Sequence, residues 1–379
     1  MKIDEVLGNS PVFDGHNDLL WAARESVSYD FDLLDLSSTE ASKRYGTHTD
    51  IPRAREGGLG AQFWSVFVPA DLPAEEIVPA TLEQIDAAYR MVAKYDDLSF
   101  VQDVAGVEQA WARGQIASLL GAEGGHQIRD SLGVLGAYAQ LGVRYLTLTH
   151  NDNVSWADSA TDTPVNHGLS DFGRAVVTEM NDLGVMVDLS HVSADVMRQA
   201  LEITSRPVLF SHSSAREVCD HPRNVPDDVL GRLSTNGGIC MVTFVPFFVS
   251  QAVRDWQLEA EESARASGIS THQFESYHAF LNQYGAEHPP PKCTISDVVA
   301  HFNHVREVAG IEHVGIGGDY DGVGWQPVGL EDVSGYPRLL DALAASGWSR
   351  ADLPQHPPGF RLPAARRGRD LQCPGQQSD

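Results

Sequence analysis

Six short stretches of this sequence place a histidine or carboxylate directly after an apolar run. They are Asp14-Gly15-His16-Asn17-Asp18, Glu123-Gly124-Gly125-His126, Thr149-His150-Asn151-Asp152, Asp188-Leu189-Ser190-His191, Ser211-His212-Ser213 and Gly318-Asp319-Tyr320-Asp321. A lone His or Asp in such a place is ordinarily a hydrogen-bonded loop residue. Six converging on one rim would be costly unless paired or bound to metal. His16 and Asp18 stand two apart, so on an extended strand both point to one face and can grip one ion. His191 and His212, from neighbouring strands, can grip a second. Imidazole and carboxylate without thiolate favour zinc, with manganese or cobalt as alternatives, and two ions about 3.5 to 4 Å apart need a bridging anion. Some barrel hydrolases bridge with a carbamylated lysine, but Lys2, Lys43, Lys94 and Lys292 all miss these stretches. Glu123 is the natural bridge. A water shared by two such ions drops in pKa from 15.7 toward about 7 and becomes a hydroxide nucleophile, which makes hydrolysis the simplest chemistry.

The elements that must carry these residues can be read from apolar runs bounded by turn signals. Eight strands are expected at Val12–Leu20, Gly60–Val68, Ile116–Ala122, Val143–Thr149, Val185–Leu189, Pro207–Ser211, Ile239–Phe244 and His313–Gly317. Several are near-continuous in Val, Ile and Leu, as parallel strands buried on both faces require. Helical periodicity lies between them at Glu75–Tyr95, Leu169–Leu183, Ala194–Ile203 and Ser296–Val308, the last opened by a Thr294-x-x-Asp297 capping pattern. Alternation of this kind predicts a (β/α)8 TIM-like barrel with its chemistry at the carboxyl ends of the strands. Residues 1–349 read as one catalytic barrel. The charged stretch at about 250–293, ending in Pro289-Pro290-Pro291, reads as a surface insertion, with a cap over the site as the alternative. Residues 350–379 form a Pro- and Arg-rich tail unlike the acidic body, either a divergent extension or a reading-frame departure near Leu353.

Composition narrows the partners. The 379 residues are 42% hydrophobic and 21% charged, enough to bury a large core. Lys plus Arg number 27 against 52 Asp plus Glu, a formal charge of -25 that repels nucleic acid and anionic membranes. The longest largely apolar stretch, Ile239–Val249, falls well short of the roughly 20 residues that span a bilayer. With no signal-like N-terminus and four scattered cysteines lacking any CxxC, a cytoplasmic enzyme is expected. His301 and His304 have a ligand-like helical spacing, but a solvated helix face is the expected explanation.

Taken in order, the motifs DGHND (14–18), EGGH (123–126), LTH (148–150) with NxxxWAD (151–158), DLSHVS (188–193), SHSSAR (211–216), HPRNVPDD (221–228) and GGDYDGV (317–323) resemble those of the membrane (renal) dipeptidase family. These are zinc peptidases on a barrel of the metal-dependent amidohydrolase type. The resemblance spans about Val12 to Arg350. It implies two Zn2+ ions, the first held by His16, Asp18 and Glu123, the second by Glu123, His191 and His212, with Glu123 and a water or hydroxide as bridges. It assigns His150 to the substrate carbonyl and developing oxyanion, Arg223 to the C-terminal carboxylate of a dipeptide, and Asp319 to proton transfer. Dipeptides, including those with a D-residue at the C-terminal side, are the implied substrates, and a homodimer is the implied assembly. The alternatives are a related barrel hydrolase acting on β-lactams or other carboxylate-bearing amides or esters, and a catalytically silent binding barrel.

Overall fold

The computed structural model describes residues 11–270, 274–349 and 352–353, so the tail read at 350–379 lies outside the described residues apart from 352–353. Nine strands form: β1 (Val12–Asn17), β2 (Leu59–Phe67), β3 (Leu98–Phe100), β4 (Ile116–Glu123), β5 (Val143–Thr147), β6 (Met186–Asp188), β7 (Leu209–Phe210), β8 (Ile239–Val242) and β9 (Val314–Ile316). Their order is β2-β1-β9-β8-β7-β6-β5-β4-β3, and a further pairing of β2 with β4 closes eight of them into a ring. Every pairing is parallel. This is the (β/α)8 barrel that the alternation requires.

Each expected run overlaps one barrel strand, with β2 starting one residue earlier and β4 ending one residue later than expected. The addition is β3, which pairs with residues 116–118 of β4 while β5 pairs with residues 120–123. The largest boundary shift is in the first strand. The run read as strand from Val12 to Leu20 stops at Asn17, whose side-chain Oδ1 accepts the Leu19 N–H at 2.9 Å and turns the chain into the helix Leu19–Val27.

Side-chain alternation divides the core in two. Phe13, Ala61, Phe63, Ala117, Leu119, Tyr145, Leu209, Ile239 and Met241 cluster inside the ring. Trp64, Val66, Leu120, Ala122, Leu146 and Val187 pack outward against the helices. Those helices lie close to expectation at Ala74–Lys94, Asp171–Leu183, Ala194–Ile203 and Ile295–Ala309. Asp297 Oδ2 accepts the Thr294 N–H at 2.8 Å, as the capping pattern predicts. Ser193 of the DLSHVS stretch caps Ala194–Ile203 by accepting the Val196 N–H.

The stretch at 250–293 forms the helices Gln251–Ala266 and Phe274–Glu287. It packs on the short helix Pro246–Val249 that follows β8, through Phe247 stacked on Trp256 with centroids 6.4 Å apart. His301 departs from expectation. It is fully buried, its Nδ1 accepting the Ala215 N–H and its Nε2 donating to the Val249 carbonyl, each at 3.0 Å. Cys219, Cys240 and Cys293 are buried and unpaired. Among the described residues no helix is long and apolar enough to cross a membrane.

Candidate metal centre

The carboxyl ends of six barrel strands deliver the site. β1 supplies His16 from its last turn of pleat and Asp18 just beyond it; β4 ends on Glu123; β5, β6, β7 and β9 are followed by His150, His191, His212 and Asp319. His191 and Asp319 both sit in the left-handed region, with φ of 69° and 59°. Such strained backbone at a strand end turns a side chain back over the barrel mouth. All of these residues except the half-buried His150 are buried.

Glu123 stands between two groups of ligand atoms. Its Oε2 lies 3.4 Å from His16 Nε2, which is itself 3.2 Å from Asp18 Oδ2 and 3.9 Å from Asp319 Oδ1. Its Oε1 lies 3.0 Å from His191 Nε2 and 3.3 Å from His212 Nε2. The donor atoms converge in three overlapping trios, each within 4.8 Å: His16, Glu123 and His212; Glu123, His150 and His191; His16, Asp18 and Asp319. His212 therefore approaches both groups, and its ring centroid lies 3.8 Å from that of His16.

Support for the imidazoles comes from residues to which the sequence reading gave no role. His16 Nδ1 bonds the Tyr145 hydroxyl at 2.9 Å. Ser211 donates to Asp188 Oδ2 at 2.6 Å and so accepts from His212 Nδ1 at 2.8 Å, while Thr147 donates to the same Asp188 oxygen at 2.6 Å. Ser65 donates to Glu123 Oε2 at 3.1 Å. The Ser211 bond fixes the His212 tautomer and leaves its Nε2 bare toward the site. Asp188 and Ser211 stood in plain view within motifs, but only the third dimension joins them. The signal for Tyr145 was a hydroxyl-bearing ring on an inward strand position.

These donors fit a cation. Burial drives the pKa values of His191 and His212 well below the ordinary imidazole value, so both present neutral lone pairs. Their Nε2 atoms are 3.0 Å apart. Two imidazole nitrogens and one carboxylate oxygen, all buried and gathered at such spacing, suit a bound cation. Burial opposes charge on His16, yet Tyr145, Glu123 and Asp18 hold its pKa well above the ordinary value. Burial would also raise Glu123, but His16, His191 and His212 hold it well below the usual carboxylate range. The centre thus draws in positive charge. Asp319 behaves oppositely, pushed well above the carboxylate range by burial, with Asp18 and Glu123 adding to the effect. Asp18 Oδ1 is buried without a hydrogen-bond partner.

Two further residues frame the centre. His150 lies against His191 and Phe67, with ring centroids 4.4 and 4.6 Å away. Its loop is tied by the NxxxWAD stretch: Ser159 donates to the His150 carbonyl at 2.7 Å, and Asp158 accepts the N–H groups of Val165, Asn166 and Gly168. Arg223 is 1% exposed, and its Nε and Nη1 are buried without a hydrogen-bond partner. Its Nη2 reaches only the His212 carbonyl, at 3.5 Å. A buried guanidinium with an empty fork suits a planar anion. The structure brings together every residue that the sequence singled out for the site.

The profile of the membrane dipeptidase family, peptidase family M19, matches residues 1–356. Solved structures share the fold. The probable dipeptidase PvdM from Pseudomonas aeruginosa is 22% identical, with 94% of each chain covered and a TM-score of 0.80. Dipeptidase AC, a metallopeptidase of family M19, is 24% identical over 91% of this chain and 95% of its own, with a TM-score of 0.73. A metallopeptidase from Rhodobacter sphaeroides, liganded with a phosphinate mimic of the dipeptide L-Ala-D-Ala, is 24% identical over 92% of this chain and 96% of its own, with a TM-score of 0.71.

Proposed function

This chain belongs to the membrane dipeptidase family, peptidase family M19, and on that premise we propose that it hydrolyses dipeptides, L-Xaa-D-Xaa among them, with two zinc ions. His16, Asp18 and Glu123 would hold one ion, and Glu123, His191 and His212 the other. The observation that carries this reading is the division of Glu123, one oxygen toward His16 and the other toward His191 and His212. A cation pair supplies Lewis acidity and lowers the pKa of water toward about 7, enough for hydrolysis at neutral pH.

The chain's own residues do the rest. The Arg223 fork receives the free C-terminal carboxylate, which selects dipeptides over internal peptide bonds. His150, at the rim beside His191, donates a hydrogen bond to the oxygen of the scissile carbonyl as it becomes an oxyanion, a contribution on the order of 3 kcal/mol. Asp319 takes a proton from the attacking water at Oδ1 and passes it to the leaving amine nitrogen. Burial among other carboxylates, which raises the proton affinity of Asp319, suits it to carry that proton.

The test is release of free amino acids from a panel of L-Xaa-L-Xaa and L-Xaa-D-Xaa dipeptides by zinc-loaded and chelated protein. The ligand of the Rhodobacter sphaeroides enzyme makes L-Ala-D-Ala the first member of the panel. Release that needs zinc is expected. Folded, zinc-loaded protein that releases nothing would sink the reading.

A further inference from the structure

Arg223 has an unusual keeper. A guanidinium buried to 1% exposure is ordinarily matched by a carboxylate, because an unpaired buried charge is expensive. Among the described residues, no carboxylate lies within ion-pair distance of Arg223; Asp319, Glu123 and Asp188 act on it only from farther off. What touches it is the ring of Phe248, with Cζ 5.2 Å from the ring centroid. An aromatic face attracts the cation without using any N–H and without cancelling the charge. A carboxylate in that place would occupy the fork and compete with an incoming anion.

The ring is itself held in place. Phe248 belongs to the short helix Pro246–Val249, whose Phe248 carbonyl accepts from Asn224 Nδ2 at 2.7 Å and whose Val249 carbonyl accepts from the buried His301 at 3.0 Å. Asn224 is the next residue after Arg223 and also donates to the Cys219 carbonyl at 2.8 Å, so ring and guanidinium are referred to one loop. The ring also meets His221, centroids 4.5 Å apart, and His221 Nδ1 accepts the Arg223 N–H at 3.1 Å.

We propose that Phe248 is a positioning residue that holds the Arg223 guanidinium by its π face so that the N–H fork stays open for a substrate carboxylate. This rests on the reading of Arg223 given above. The neighbouring Phe247 stacks on Trp256, so the insertion at 250–293 buttresses the same short helix.

The test is steady-state kinetics of zinc-loaded protein on one free dipeptide and on its C-terminal amide, in a double-mutant cycle of Phe248→Leu and Arg223→Met, with Phe248→Tyr as the conservative variant. Phe248→Leu is expected to raise KM for the free dipeptide about fivefold with kcat within twofold. Phe248→Tyr should restore KM, the amide should not respond, and the effect of Phe248→Leu should vanish in the Arg223→Met background. If Arg223→Met itself leaves KM for the free dipeptide unchanged, the carboxylate reading falls and this inference with it. If Arg223→Met raises KM but Phe248→Leu does not, or raises it equally in both backgrounds, the ring is only a structural neighbour and the inference alone is overturned.

Discussion

Asp319 and His301 show how one physical cause, burial, serves two purposes. In Asp319 burial raises proton affinity at the mouth of the barrel. Asp319→Asn keeps the shape and removes the proton carrier, so kcat should fall by roughly 10² to 10⁴ in protein that still binds zinc. Equal turnover by the Asn variant would remove Asp319 from the mechanism. In His301 burial lowers the pKa to about 4: desolvation outweighs the bond to the Val249 carbonyl, which favours a charged ring, while the Ala215 N–H needs Nδ1 unprotonated. A histidine depressed in the folded state binds its proton more readily when unfolded. Its stabilising contribution is therefore present above pH 6.5, the ordinary value, and is lost as pH falls toward about 4. That window corresponds to about 3 kcal/mol. Melting of the wild type and of His301→Gln between pH 7 and pH 4 should show a shallower decline for the variant. Parallel curves would assign the acid lability elsewhere.

At the level of strands and helices, what the sequence made legible is what repeats. Apolar runs located all eight barrel strands, and the polar residues at the ends of six of them marked the candidate site, because burial on both faces of a parallel sheet leaves only the ends for chemistry. The three-residue β3 escaped, since Leu98–Phe100 is too short to show a period. His301 was misjudged because helical spacing does not say which face a neighbouring loop covers. Tyr145 and Phe248 were given no role because their partners, His16 and Arg223, are far away in sequence or on a separate element. Tyr145 also explains a glycine. A Cβ on Gly121 of β4 would stand 1.9 Å from Tyr145 Cζ, with the ring enclosed inside the barrel. Gly121→Ala should cost about 2 kcal/mol or more and, by displacing the hydroxyl from His16, weaken zinc retention. Gly231→Ala, on an open face of the helix Asp227–Asn236, should instead raise Tm slightly. Thermal melts with zinc analysis on both variants test the contrast, and an unperturbed Gly121→Ala would refute it.

For the molecule as a whole, cations that bind only the closed barrel must stabilise it. Saturation at about 100 times Kd adds roughly 2.7 kcal/mol per ion. Titration of chelated protein should therefore show two equivalents bound and a stepwise rise in Tm; a single equivalent, or no rise, would contradict the bridged pair. The ring closes in a particular way: β1 is seated between β2 and β9, so the first strand must wait for the last. A chain leaving the ribosome displays His16, Glu123, His191 and His212 long before Asp319 is synthesised. Enclosure of the candidate metal centre is thus a terminal event of biosynthesis, and any nascent fragment that stops short of β9 carries these side chains open, with no wall to seal them.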